Sequence, residues 1–153
     1  MISKSLEEYL KTIYVLKKQN GHIRVTDIAN KMNCSKPGVN KAINNLKANG
    51  LINYETYGTI ELTKKGEEHA KKILETYDIV YLFFKEVLNL DDNLAKEEAE
   101  KVKLAITDET TNKLAKYIHN VLDLYNLDCD YDVNQERCRS CKRRTERKVN
   151  NKI

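Results

Sequence analysis

The chain has 153 residues, of which 41% are hydrophobic and 33% charged, the balance of one or two small domains with a modest core. No stretch approaches the uninterrupted apolar length that crosses a bilayer, and Met1-Ile2-Ser3-Lys4 leads straight into an amphipathic helix rather than a signal sequence. A cytoplasmic protein without membrane contact is expected. The net charge of +4 is unevenly spread: residues 1–72 carry 13 Lys/Arg against 7 Asp/Glu, residues 73–134 carry 6 against 14, and residues 135–153 carry 8 against 2. A basic head suits a polyanion and an acidic middle a different task.

Residues 5–18 predict a first helix, with Leu6, Tyr9, Leu10, Ile13, Tyr14 and Leu16 mostly on one side, ending before Asn20-Gly21. Val25, Ile28, Ala29 and Met32 mark a second, broken by Asn33-Cys34-Ser35. A third opens with Ser35 as N-cap and Pro37 in its first turn, where the missing N–H costs nothing. Its stripe of Val39, Ala42, Ile43 and Leu46 faces the second helix, and the opposite face carries Lys36, Asn40, Lys41, Asn44 and Lys47. These donors and cations are what phosphates and major-groove base edges accept.

Gly50 supplies a left-handed helix end, after which Leu51–Tyr54 and Thr59–Leu62 alternate as strands around Glu55-Thr56-Tyr57-Gly58. This is a helix-turn-helix followed by a wing. Candidate DNA contacts are Ser35, Lys36, Pro37, Asn40, Lys41, Asn44, Lys47 and Tyr57; the competing reading is a small helical subdomain with a solvated lysine face.

Thr63 caps a long helix that runs toward Ile73-Leu74 and into an apolar stretch, Tyr77, Ile79, Val80, Tyr81, Leu82, Phe83, Phe84, Val87 and Leu88. Apolar side chains on so much of the circumference predict burial on several sides. A small monomer is not expected to cover them, so a homodimer is expected here, with Tyr77, Tyr81, Phe83 and Phe84 as dimer core rather than a cofactor pocket. Asn89–Asn93 reads as a loop, followed by helices over about 94–106 and 108–125, the latter capped by Thr107. The expected fold is mainly α: a winged helix-turn-helix domain of three helices and a two-stranded wing (1–72), an all-helical dimerisation domain (73–126) and a cysteine-containing basic tail (127–153).

Several of these segments resemble one family. Ser5-Leu6-Glu7-Glu8-Tyr9-Leu10-Lys11-Thr12-Ile13-Tyr14, Val25–Ala29, Ser35–Val39, Gly50-Leu51-Ile52 and Leu62–Gly66 together resemble the diphtheria toxin repressor and manganese regulator (DtxR/MntR) family of metal-dependent transcription factors, over about residues 3–124. The resemblance implies a winged-helix domain joined to a helical dimerisation domain, and a dimer that binds a double-stranded, pseudo-palindromic operator. It also implies that Ser35, Pro37, Asn40 and Lys41 touch bases and phosphates, with Pro37 against a thymine methyl.

The family senses Mn(II) or Fe(II), and there the resemblance breaks. Glu8 and Glu100 keep carboxylates, but Lys11 stands where the manganese sensors have a carboxylate, Tyr77 where a histidine is expected, and Lys103-Leu104 in place of a glutamate-histidine pair. Ammonium groups repel a divalent ion and leucine donates nothing, so Mn or Fe(II) is not expected at this site. Glu8 with Lys11, and Glu100 with Lys103, read instead as helix-spaced charge pairs that substitute for the metal.

The chain adds Cys129-x8-Cys138-x2-Cys141, expected in an irregular loop after the dimerisation helices. Cytoplasmic thiols suit metal or redox chemistry better than disulfides, and Arg137, Arg139, Lys142, Arg143 and Arg144 would stabilise thiolates. An iron-sulfur cluster ranks first, since it tolerates three cysteines with a fourth ligand such as Asp130, Asp132 or His119. Zinc ranks second, because it prefers four protein ligands, and redox thiols third. Cys34 reads as filler of a core gap, and His22 and His69 as solvated. No catalytic constellation is legible, so an enzyme is not expected. The leading reading is a DNA-binding regulator sensing iron, iron-sulfur status or oxidant through the three cysteines. Its alternatives are a divalent-metal (Mn/Fe)-responsive repressor, a zinc-stabilised DNA-binding module with constitutive binding, and a thiol-disulfide enzyme.

Overall fold

The structure, a computed structural model, describes residues 2–55, 58–121, 129–132 and 137–141, the last two segments as backbone. It divides into two compact units, Met1–Ile73 and Leu74–Ile153.

In the first unit, α1 (Lys4–Asn20) starts at Ser3, whose hydroxyl accepts the Leu6 N–H at 3.3 Å. Helix α2 (Val25–Met32) ends at Asn33 in the left-handed region (φ 51°), and Ser35 opens α3 (Lys36–Ala48) by accepting the Gly38 N–H. The exit of α3 is a Schellman motif: Gly50 (φ 68°) donates to the Lys47 carbonyl at 2.9 Å and Leu51 to the Leu46 carbonyl at 3.0 Å. The chain is thereby aimed into the wing, where β1 (Ile52–Tyr54) pairs antiparallel with β2 (Ile60–Leu62), Ile52 opposite Leu62 and Tyr54 opposite Ile60. Ile60 also donates to the Ile23 carbonyl at 3.1 Å, tying the wing to the chain that precedes α2. The expected order of helix, turn, helix and wing is therefore the observed one. Leu10, Ile13, Ile23, Ile28, Val39, Ile43, Leu46, Leu51 and Ile52 form its core, each 2% exposed or less.

Thr63 joins the wing to α4 (Lys64–Leu82). Its hydroxyl accepts the Gly66 N–H at 3.1 Å and donates to the Gly50 carbonyl at 2.7 Å, so one side chain caps α4 and holds the end of α3. Lys65 adds a bond from Nζ to the Asn49 carbonyl at 3.3 Å. Thr63→Ala is expected to cost about 1–2 kcal/mol and lower Tm by roughly 5–10 °C. Thermal melts followed by circular dichroism check this, and an unchanged Tm would remove the cap from the account.

In the second unit, α4 runs into a π-helical turn (Phe83–Val87), closed by the bond from the Leu88 N–H to the Phe83 carbonyl at 3.0 Å. Then come α5 (Asp92–Val102), α6 (Asp108–Val121), and a hairpin of β3 (Cys129–Asp132) with β4 (Arg137–Cys141). Thr107 accepts the Thr110 N–H at 3.3 Å and caps α6 as expected, whereas α5 begins earlier than the apolar pattern indicated, because Asp91 caps it through the Asn93 N–H, and ends earlier, at Val102.

The end of α4 is buried on two sides by its own chain. Ile79 and Leu82 pack with Ala115 and Ile118 of α6, while Val80 and Tyr81 pack with Ala95 and Ala99 of α5. The unit itself therefore covers part of the apolar stretch: Ile79, Val80, Tyr81 and Leu82 are buried, whereas Tyr77, Phe83, Phe84 and Val87 are half-buried. The large apolar groups left exposed among the described residues are Leu88, Leu94, Tyr117 and Val121. A correction concerns the cysteines, expected in an irregular loop and found on a paired hairpin.

Candidate nucleic-acid interface and metal-ligand positions

Helix α3 contains no acidic residue, and burying Val39, Ala42, Ile43 and Leu46 turns its other face outward. Ser35, Lys36, Pro37, Asn40, Lys41, Asn44 and Lys47 are all exposed there. Residues 36, 40, 44 and 47 recur at helical spacing along one line, with 37 and 41 beside them. The helix N-terminus, a partial positive charge, lies at the same end as Lys36. Asparagine can pair bidentately with adenine, and lysine neutralises phosphate. Lys47 is partly committed elsewhere, since its Nζ donates to the Tyr54 carbonyl at 2.7 Å and braces β1 against α3. Tyr57 lies outside the described residues.

Behind the reading helix, Cys34 packs against the core, and the Tyr9 hydroxyl donates to its Sγ at 3.6 Å. That bond, with burial, holds the Tyr9 phenol above its ordinary ionisation range. Cys34 is accordingly a packing residue. His22 is exposed as expected. His69 is not simply solvated: its Nε2 lies 3.2 Å from Glu7 Oε1, linking α4 to α1. A histidine on a lysine-rich helix gave no sign of that partner, 62 positions away in sequence.

The metal-ligand positions divide between the units. In the first, the Glu8 carboxylate lies 2.7 Å from Lys11 Nζ. In the second, Glu100 forms an ion pair with Lys103, whose side chain is 1% exposed, and Lys103 Nζ sits 5.8 Å from the Tyr77 ring centroid. The expected charge pairs are thus formed. Among the described residues no group of three or more His, Cys, Asp or Glu side chains could hold an ion.

The hairpin arranges the cysteine positions through its backbone. Cys129 is the register partner of Cys141 and Tyr131 that of Cys138, with a shift between them. Two steps along β3 match three along β4, so β4 carries a one-residue bulge. In a regular strand positions 138 and 141 would fall on opposite faces. The bulge returns both to the face shared by 129 and 131, and all three cysteine positions lie on it. His119, on α6, is 3% exposed.

Residues 1–60 match the iron dependent repressor N-terminal DNA binding domain, and residues 63–122 match the iron dependent repressor metal binding and dimerisation domain. The chain belongs to the iron-dependent repressor family. An uncharacterized HTH-type transcriptional regulator of Methanocaldococcus jannaschii is 37% identical over 123 residues, 80% of this chain and 98% of that protein. The regulator MntR of Lysinibacillus sphaericus is 25% identical over 118 residues, 77% of this chain and 84% of that protein. The solved manganese regulator SloR superposes with a TM-score of 0.65 at 28% identity, covering 77% of this chain and 55% of its own. The chain spans about half the length of SloR and of the solved metal-dependent transcriptional regulator MtsR.

The iron-dependent repressor family is one of DNA-binding, metal-dependent transcriptional regulators and not of enzymes, which agrees with the resemblance in the sequence. Its matched domains end at residue 122, so the cysteine hairpin lies beyond them. No helix among the described residues is long and apolar enough to cross a membrane. Within the first unit Lys11 holds the Glu8 carboxylate and within the second Lys103 holds that of Glu100, and an ammonium group beside a carboxylate does not suit a divalent ion.

Proposed function

We propose that the protein is a cytoplasmic, homodimeric regulator whose two α3 helices enter successive major grooves of a pseudo-palindromic operator. The observation that carries the reading is the outward face of α3: exposed Ser35, Lys36, Pro37, Asn40, Lys41 and Asn44 with no acid on the helix. Asn40 and Asn44 are assigned to base edges, Lys36 and Lys41 to phosphates, Pro37 to a thymine methyl and Tyr57 to the wing's contact. The homodimer reading is supported by exposed Tyr117 and Val121, one turn apart on α6, and by Leu88 after the π-helical turn.

The signal is assigned to Cys129, Cys138 and Cys141, which would hold an iron-sulfur cluster reporting iron supply or oxidant. Support comes from the hairpin register, which pairs position 129 with 141 and 131 with 138, and from the arginines adjacent in sequence. A zinc ion on the same thiols, with constitutive DNA binding, is the second reading.

Selection from random duplex DNA tests the operator reading, with enrichment of a two-fold symmetric sequence expected. On that duplex, Lys41→Ala is expected to weaken binding and to reduce the slope of log affinity against log salt by about 0.9, the loss of one phosphate contact. No enrichment would end the operator reading; an unchanged slope would remove Lys41 from the interface.

A further inference from the structure

We infer that the ammonium group of Lys103 is a built-in cation that does in the second unit what a divalent ion does in a metal-binding and dimerisation domain, so that this unit is held together without metal. The inference uses family membership and the residues of this unit; it is independent of whether the first unit reads an operator.

A buried ammonium is costly unless its charge is met. Lys103 is met on three sides. Glu100, three residues earlier on α5, forms the ion pair; the Tyr77 ring of α4 presents its electron-rich face 5.8 Å from Nζ; and Lys103 itself is the C-cap residue of α5, where the helix dipole favours a positive charge. The arrangement continues beyond the lysine. Tyr77 stacks on Tyr81, with ring centroids 6.2 Å apart and planes 12° from parallel, and the Tyr81 hydroxyl donates to Asp92 at 2.6 Å. Asp92 is the first residue of α5 and Lys103 closes its end, so two tyrosines of α4 are fastened to both ends of one helix.

Joining side chains of two helices around one positive centre is the service a bound cation provides; here a ring face stands in for one of the ligands. Here the centre is covalent and permanent. A carboxylate already neutralised by an adjacent ammonium has little left to offer Mn(II), a hard ion that needs several anionic oxygens. Glu8 and Lys11 repeat the pattern in the first unit.

The test uses the full chain, stripped with chelator and titrated with Mn(II), which avoids soft thiols. The free-Mn(II) electron paramagnetic resonance signal is expected to grow as in buffer alone, and 1 mM Mn(II) is expected to leave Tm unchanged. A ligand of the folded state at 100 times its dissociation constant would raise Tm by roughly 10 °C. Depletion of the free signal by one ion per chain, or such a rise, would overturn the inference. Glu100→Gln supplies a second arm: it is expected to lower Tm in the wild-type background and to have less effect alongside Lys103→Met, where the buried ammonium that Glu100 pairs with is gone. An equal effect in both backgrounds would also overturn it. Neither readout involves DNA, so a failed operator search leaves both informative.

Discussion

Gly66→Ala is expected to cost about 3 kcal/mol or more, a fall in Tm of roughly 10–20 °C for a domain of this size. A Cβ built on Gly66 would lie 1.9 Å from the Leu51 carbonyl oxygen and 2.8 Å from its carbon. Both are backbone atoms, and that oxygen already accepts the Thr63 N–H at 3.0 Å, so it cannot swing aside. Relief requires lifting the first turn of α4 off the wing, which would also break the Thr63 bonds to Gly50 and Gly66. Gly50→Asn is the control. Gly50 has φ 68° but nothing within 4 Å of its added Cβ, so only the mild backbone cost of a left-handed residue, about 1 kcal/mol, is expected. Chemical denaturation of both variants checks the pair; a Gly66→Ala protein no less stable than Gly50→Asn would show that the α4–wing contact is not tight.

Replacing Cys129, Cys138 and Cys141 together by serine is expected to abolish bound iron and sulfide, or bound zinc, because a serine hydroxyl is not ionised at neutral pH and is a poor partner for these metals. The Tm of the winged unit should stay unchanged, since these residues lie outside residues 1–73. If the thiols carry the signal, operator affinity of the loaded wild type and the variant should differ by roughly ten-fold, within the usual range of allosteric coupling. Cys34→Ser should leave metal content intact, because Cys34 belongs to the packing beside Tyr9. Anaerobic purification with visible spectra and metal and sulfide analysis decides among the readings. A coloured, iron-containing wild type supports the cluster, a colourless zinc protein supports the second reading, and a triple variant with wild-type metal content sinks both.

Much of the reading head was legible in the residues because its signals are local. Ser35, Pro37 and Gly50 act on backbone within a turn of themselves, and the stripe Val39, Ala42, Ile43 and Leu46 needs only a period of 3.6 to declare which side is buried. The exposed lysines and asparagines then follow by elimination. The charge pairs Glu8–Lys11 and Glu100–Lys103 were legible for the same reason, three residues apart on a helix.

What lay beyond the sequence depended on partners distant along the chain. Gly66 gave no hint that the Leu51 carbonyl would close over it, nor His69 that it would meet Glu7. Apolar side chains around α4 announced burial, yet only the folded unit showed which of them α5 and α6 cover. The spacing of Cys138 and Cys141 alone would have put them on opposite faces of a strand; the bulge that reunites them is a property of the pairing, absent from either strand by itself. By itself the sequence determined the helices, the caps at Ser35, Thr63 and Thr107, the basic reading face and the helix-spaced Glu–Lys pairs, because each is written within a few neighbouring residues. The tertiary structure decided which of those groups are buried and what they meet, because burial and close approach depend on segments that come together only when the chain folds.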